Sequence, residues 1–126
     1  MSQDIVADAL NMIRNAKKAR KETVKVKRIS SLLIEILKIM KYKNAIKKYK
    51  INSNEKSGEI SIGVLSDCKA IKPRFSVNKL QIDKYVRRYL PARNFGTMIL
   101  STNEGLMTHE EALEKGIGGS LIAYFY

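Results

Sequence analysis

Along this chain the spacing of apolar residues switches between a helical period and a period of two, and that switching restricts the fold more than any other feature. Val6, Ala9, Leu10, Ile13 and Ala16, with Ile5, recur at helical spacing over residues 4–18, which predicts an amphipathic helix. Asp4 and Asp8 near its start and Lys17 and Lys18 at its end suit the helix dipole. Residues 22–27 alternate instead, with Val24 and Val26 on one face and Lys25 and Lys27 on the other, as in a half-buried strand. Leu32, Leu33, Ile36, Leu37 and Met40 return to the helical period behind a possible cap at Ser30 or Ser31. From residue 45 the period is two again, and Ala45–Ile51 and Glu59–Val64 read as paired strands around the polar turn Asn52–Gly58. The order is therefore α-β-α-β-β.

The second half continues in shorter pieces. Lys72–Val77 reads as a short strand, with Pro73 suited to an edge or a strand start. Ile82, Tyr85, Val86 and Tyr89 predict a helix that stops before Pro91. Phe95–Ser101 reads as an apolar strand, residues 108–115 as a short helix, and Leu121–Tyr126 as a closing strand. The fold class read from this order is α/β (α+β), with domains expected at 1–66 and 67–126. A hinge between the halves is expected near residues 65–71. No internal repeat or low-complexity segment is present.

Charge narrows the partner. The 126 residues carry 24 Lys and Arg against 12 Asp and Glu, a net charge of +12. Residues 1–50 hold 14 basic and 4 acidic side chains, while residues 51–126 hold 10 and 8. Arg14–Arg28 alone has eight basic residues against Glu22, and Lys38–Lys50 has six lysines and no acid. A solvated face explains one such window. Two within fifty residues repel each other unless a polyanion offsets them, so nucleic acid is the expected partner and an acidic membrane surface ranks below it.

Other classes find little support. One cysteine, Cys68, forms no internal disulfide, and one histidine with one cysteine makes no His/Cys zinc site, so neither a metal nor a cofactor is expected. No apolar run approaches the roughly 20 residues needed to span a bilayer. The start shows no basic segment followed by an apolar one, so a cytoplasmic location without a signal peptide is expected. A peripheral membrane binder needs a free amphipathic face; residues 31–50 come nearest, but their leucines are better used as core. Ser101, His109 and Glu110 stand too close in sequence to converge as a triad. His109 is expected to be an exposed, structurally neutral histidine, and Cys68 half-buried packing. Met107 and Tyr124–Tyr126 are expected in a core or an interface, not on a stacking platform. Gly116–Gly119 lacks phosphate-loop spacing and suits a helix stop followed by close backbone packing.

The segment Leu100–Glu111 supports two uses. Thr108 and Glu111 stand in a capping-box relation, and Gly105 permits a turn. Alternatively, a strand ending in Ser101-Thr102-Asn103 beside a helix start presents hydroxyl and amide groups to phosphate and ribose oxygens. Residue chemistry alone divides evenly between them.

The chain resembles the small-subunit ribosomal protein eight family in its archaeal and eukaryotic form, nearly end to end. The matching residues include Ile5–Asn11 with Ile13–Ala16, Ala70–Phe75, Tyr89–Arg93 with Phe95-Gly96, Leu106–Ala112, and Glu114–Gly119, the last block being the most specific. The resemblance implies two small α/β domains, the second mainly antiparallel and strand-rich with short helices, no catalysis, and primary binding to a helix in the central domain of small-subunit rRNA, helping that domain fold. It implies RNA contacts at Ser101, Thr102, Gly105 and Thr108, with Met107 adjacent and Asn103 at the family's third hydroxyl position. In the first domain it implies Arg14 and Asn15, with phosphate contacts from Lys17, Lys18 and Lys25; Lys72 and Arg74 are further candidates in the second. Neighbouring small-subunit proteins are the other implied partners; no membrane, small-molecule substrate or homo-oligomer is expected. Val64 and Lys69 replace an Arg and a Gly of the family pattern, and Lys43-Asn44-Ala45-Ile46 lacks its glycine, so turn geometry over residues 43–69 is expected to differ. The alternatives are a small cationic enzyme acting on nucleic acid and an RNA-binding regulator outside the ribosome.

Overall fold

The computed structural model describes residues 5–52, 57–71, 74–91 and 95–126. They form α1 (Ile5–Lys18), β1 (Thr23–Val26), α2 (Ser31–Tyr42), β2 (Ile46–Asn52), β3 (Ser57–Ile62), β4 (Cys68–Ala70), β5 (Ser76–Val77), α3 (Ile82–Tyr89), β6 (Thr97–Thr102), β7 (Gly105–Thr108), α4 (His109–Lys115) and β8 (Gly119–Phe125). The chain divides into two compact units, Met1–Lys69 and Ala70–Tyr126. Among the described residues no helix is long and apolar enough to cross a membrane.

The first unit follows α-β-α-β-β, with a three-stranded antiparallel sheet ordered β1-β3-β2. The helical stripe of α1 is buried at Val6, Ala9, Leu10, Ile13 and Ala16, and that of α2 at Leu33, Ile36, Leu37 and Met40. Burying one such Leu or Ile is worth about 1.5–3 kcal/mol, so these two stripes dominate the unit's stability. Ser30 caps α2, its hydroxyl accepting the Leu33 N–H at 3.2 Å. After α2 the chain turns at Asn44, which has φ +65°. Asparagine tolerates this left-handed conformation better than most side chains, so the turn forms without a glycine.

Cys68 is fully buried, not half-buried as expected, and its Sγ donates to the Leu10 carbonyl at 3.3 Å. Burial, helped by the Asp67 charge and opposed by Arg14, pushes the thiol up to about 12. A thiol held in its neutral form is packing, not a nucleophile.

The second sheet runs β4-β8-β6-β7, with β5 also paired to β8. The core of the second unit includes Val77, Ile82, Val86, Leu90, Met98, Leu100, Met107 and Leu121. Three strands differ from expectation. Residues Cys68–Ala70 form β4, and Lys72–Val77 contributes only Ser76–Val77, Lys72 and Pro73 lying outside the described residues. Gly105–Thr108, expected as the approach to a helix, is a strand that returns along β6. Gly116 ends α4 in the left-handed region, at φ +70°. Alanine side chains at Gly118 and Gly119 would run into the backbone at Val77 and Ser101, which is the close approach expected of this glycine run.

Candidate nucleic-acid interface

A two-residue turn, Asn103-Glu104, joins β6 to β7, with Thr102 opposite Gly105. Gly105 has φ +106°, a conformation that glycine adopts without strain. The Thr102 hydroxyl holds the turn closed, donating to the Gly105 carbonyl at 2.9 Å and accepting the Glu104 N–H at 3.1 Å. Glu104 is drawn towards Lys115, 3.6 Å away, which offsets the only acid at the tip. Ser101, Asn103 and Gly105 are exposed and Thr102 is half-buried.

Strand register adds two hydroxyls that sequence reasoning missed. Ser101 stands opposite Ser120, and Ser120 stands opposite Ser76, with the two Oγ atoms of that second pair 3.3 Å apart. Directly paired residues share one sheet face, so β5, β8 and β6 present a row of three serines at strand spacing. Each hydroxyl both donates and accepts, and such a fixed row can match ribose and phosphate oxygens by shape without a net charge. Nothing local in the sequence marks Ser76 or Ser120, because the row exists only in the paired sheet.

Met107 and Thr108 are buried, which removes them from the hairpin surface. Thr108 is the α4 cap: its hydroxyl accepts the Glu111 N–H at 3.3 Å and lies 3.3 Å from Glu111 Oε1. The structural use of Thr108 is thus the one realised here, and Met107 joins the core as expected of it. His109 corrects the sequence reading. It is only 3% exposed, and its Nδ1 accepts the Met98 N–H at 3.1 Å. A buried backbone donor needs a partner, and the imidazole supplies it, which ties the start of α4 to β6.

In the first unit, Arg14, Asn15, Lys17 and Lys18 occupy the last turns of α1. Arg14 Nε lies 2.7 Å from Asp67 Oδ1, an ion pair without hydrogen-bond alignment, so part of its charge is already matched. Lys17 Nζ reaches the Gly63 carbonyl at 3.4 Å, while Asn15 and Lys18 are exposed. Lys25 lies on the outer sheet face in the register row Lys25–Glu59–Lys50, beside the row Thr23–Ser61–Lys48. Lys48 and Lys50 therefore belong with Lys25, and the signal was the period of two within the lysine-rich window. In the second unit Arg74 is exposed, close in sequence to Ser76, and Lys72 lies outside the described residues. No group of three or more His, Cys, Asp or Glu that could hold a metal ion occurs among the described residues.

A basic α+β protein of two units, with lysines on one sheet and a serine row on the other, is the class these features define. The family described as Ribosomal protein S8 matches residues 4–126. The chain is 42% identical to small ribosomal subunit protein uS8 of Nanoarchaeum equitans, 40% to that of Picrophilus torridus and 36% to small ribosomal subunit protein uS8my of Arabidopsis thaliana, each over the full length of both chains. The chain belongs to the ribosomal protein S8 family.

Proposed function

We propose that this chain, a structural constituent of the small ribosomal subunit by its family, is a primary binder of a helix in the central domain of small-subunit rRNA and helps that domain assemble. The work divides between residues 1–66, which supply phosphate attraction through Lys17, Lys18 and Lys25, and residues 67–126, which supply fit through the Ser101–Gly105 hairpin. The chain acts as one copy in the cytoplasmic ribosome beside neighbouring small-subunit proteins and performs no catalysis. The observation that carries the reading is the serine row next to the hairpin turn, because it offers paired donors and acceptors on a rigid sheet rather than charge alone.

Replacing Ser101 with alanine is expected to weaken RNA binding by about 1–2 kcal/mol, the cost of leaving an RNA partner unsatisfied. Filter binding at fixed salt measures it, and equal affinity for both proteins would remove Ser101 from the interface. Lys17→Ala and Lys25→Ala should instead weaken binding to every RNA alike and flatten the salt dependence by about 1 in slope each. A salt titration with an unaltered slope would reject those phosphate contacts.

A further inference from the structure

The near neutrality of the second half is an average of two unlike segments. Residues 72–93 carry seven basic side chains and one acid, Asp83, whereas residues 94–126 carry one basic residue and four acids. The basic segment contains α3, whose buried side is Ile82 and Val86. Its other side exposes Lys84, Arg87 and Arg88.

Two half-buried tyrosines flank these cations. Lys84 Nζ lies 5.9 Å from the centre of the Tyr85 ring, and Arg88 Cζ lies 6.0 Å from that of Tyr89. The two rings stack on each other at 6.5 Å and 18°, with Phe75 at 5.0 Å behind Tyr85 and Tyr124 at 5.3 Å behind Tyr89. Rings fixed by packing hold Lys84 and Arg88 near one place on the surface, so less side-chain freedom is lost when a phosphate binds.

We propose that this face of α3 is a second RNA contact, gripping the sugar-phosphate backbone through Lys84, Arg87 and Arg88, separately from the serine row. The inference rests on the RNA-binding reading above and adds a surface to it. RNA is the partner because Lys84, Arg87 and Arg88 set three exposed cations against the single acid Asp83 on eight residues, a charge balance that suits a phosphate chain.

The test is a triple variant, Lys84→Gln, Arg87→Gln and Arg88→Gln, in the full chain, against a transcript of small-subunit rRNA. Its salt slope should flatten by about 2–3. Hydroxyl-radical protection should be lost over a stretch of RNA other than the one that Ser101→Ala exposes. All three side chains are exposed, so the melting curve should not move; Arg87→Gln alone, with a slope change of about 1, repeats the test if the triple variant fails to fold. An unaltered slope and footprint, with Ser101→Ala still impaired, would overturn the α3 contact and leave that face to a protein. If neither variant loses affinity, the RNA-binding reading itself falls with it.

Discussion

Gly119→Ala is expected to destabilise the protein by about 1–3 kcal/mol and to weaken RNA binding at the same time, because the added methyl group has no room. It would run into the Ser101 carbonyl and come within 2.9 Å of Thr102 Cγ2. The first of these neighbours is backbone, so β8 must draw away from β6 where Ser101 and Ser120 stand opposite each other. The serine row is therefore disturbed by a residue that carries no functional group. For a small domain of 60–100 residues each kcal/mol lowers Tm by roughly 4–8 °C, so thermal unfolding resolves the loss readily. Gly105→Ala is the useful contrast, since a methyl group there meets nothing within 4 Å and only the positive φ resists it. Equal melting curves for Gly119→Ala and the parent would contradict the close packing of β6 on β8.

His109→Leu should cost about 1–3 kcal/mol, since it leaves the buried Met98 N–H without an acceptor. Simple hydrophobicity makes the opposite forecast, because leucine is more apolar and the site is buried. His109→Asn separates the two accounts. Its side-chain oxygen can stand near the place of Nδ1 and accept the same hydrogen bond, so it should retain more stability than leucine despite being smaller and more polar. Urea unfolding of the three proteins gives the ranking. A leucine variant as stable as the parent would show that the hydrogen bond contributes nothing.

The helices were legible because their signals are local. Val6 to Ala16, Leu33 to Met40 and Ile82 to Val86 repeat over several turns, and Thr108 with Glu111 marks the start of α4 within four residues. The short strands were legible only in part: Ser76–Val77 ends the run Lys72–Val77 read as a strand, whereas Cys68–Ala70 carried no strand signal. Cys68–Ala70 and Ser76–Val77 contain too few residues to establish a period, and only pairing to β8 or its sheet makes them strands. The β6–β7 hairpin was obscured because β7 is only four residues long and its last residue, Thr108, also caps a helix.

The candidate site was legible to a similar depth. Ser101, Thr102 and Asn103 lie together in the sequence and in the hairpin, but Ser76 and Ser120 join Ser101 only through strand register. His109 looked exposed because its neighbours are polar, whereas its environment is set by Met98, eleven residues away. Charge counted by halves hid the basic segment around α3, since the acids of residues 94–126 cancelled it. Asn44 shows the reverse case. The missing glycine suggested an altered turn, and the asparagine occupies the left-handed conformation that such a turn requires.

In the proposed function the Ser101–Gly105 hairpin reads one rRNA shape while lysines of the first unit supply general attraction. Hydroxyl-radical footprinting of small-subunit rRNA with the parent protein, Ser101→Ala and Lys25→Ala tests it most directly. The parent should protect a helix of the central domain. Ser101→Ala should lose protection at that helix with its salt slope retained, and Lys25→Ala should keep the pattern of protection with a shallower slope. Protection confined to other domains, or identical footprints and slopes for all three proteins, would contradict the account.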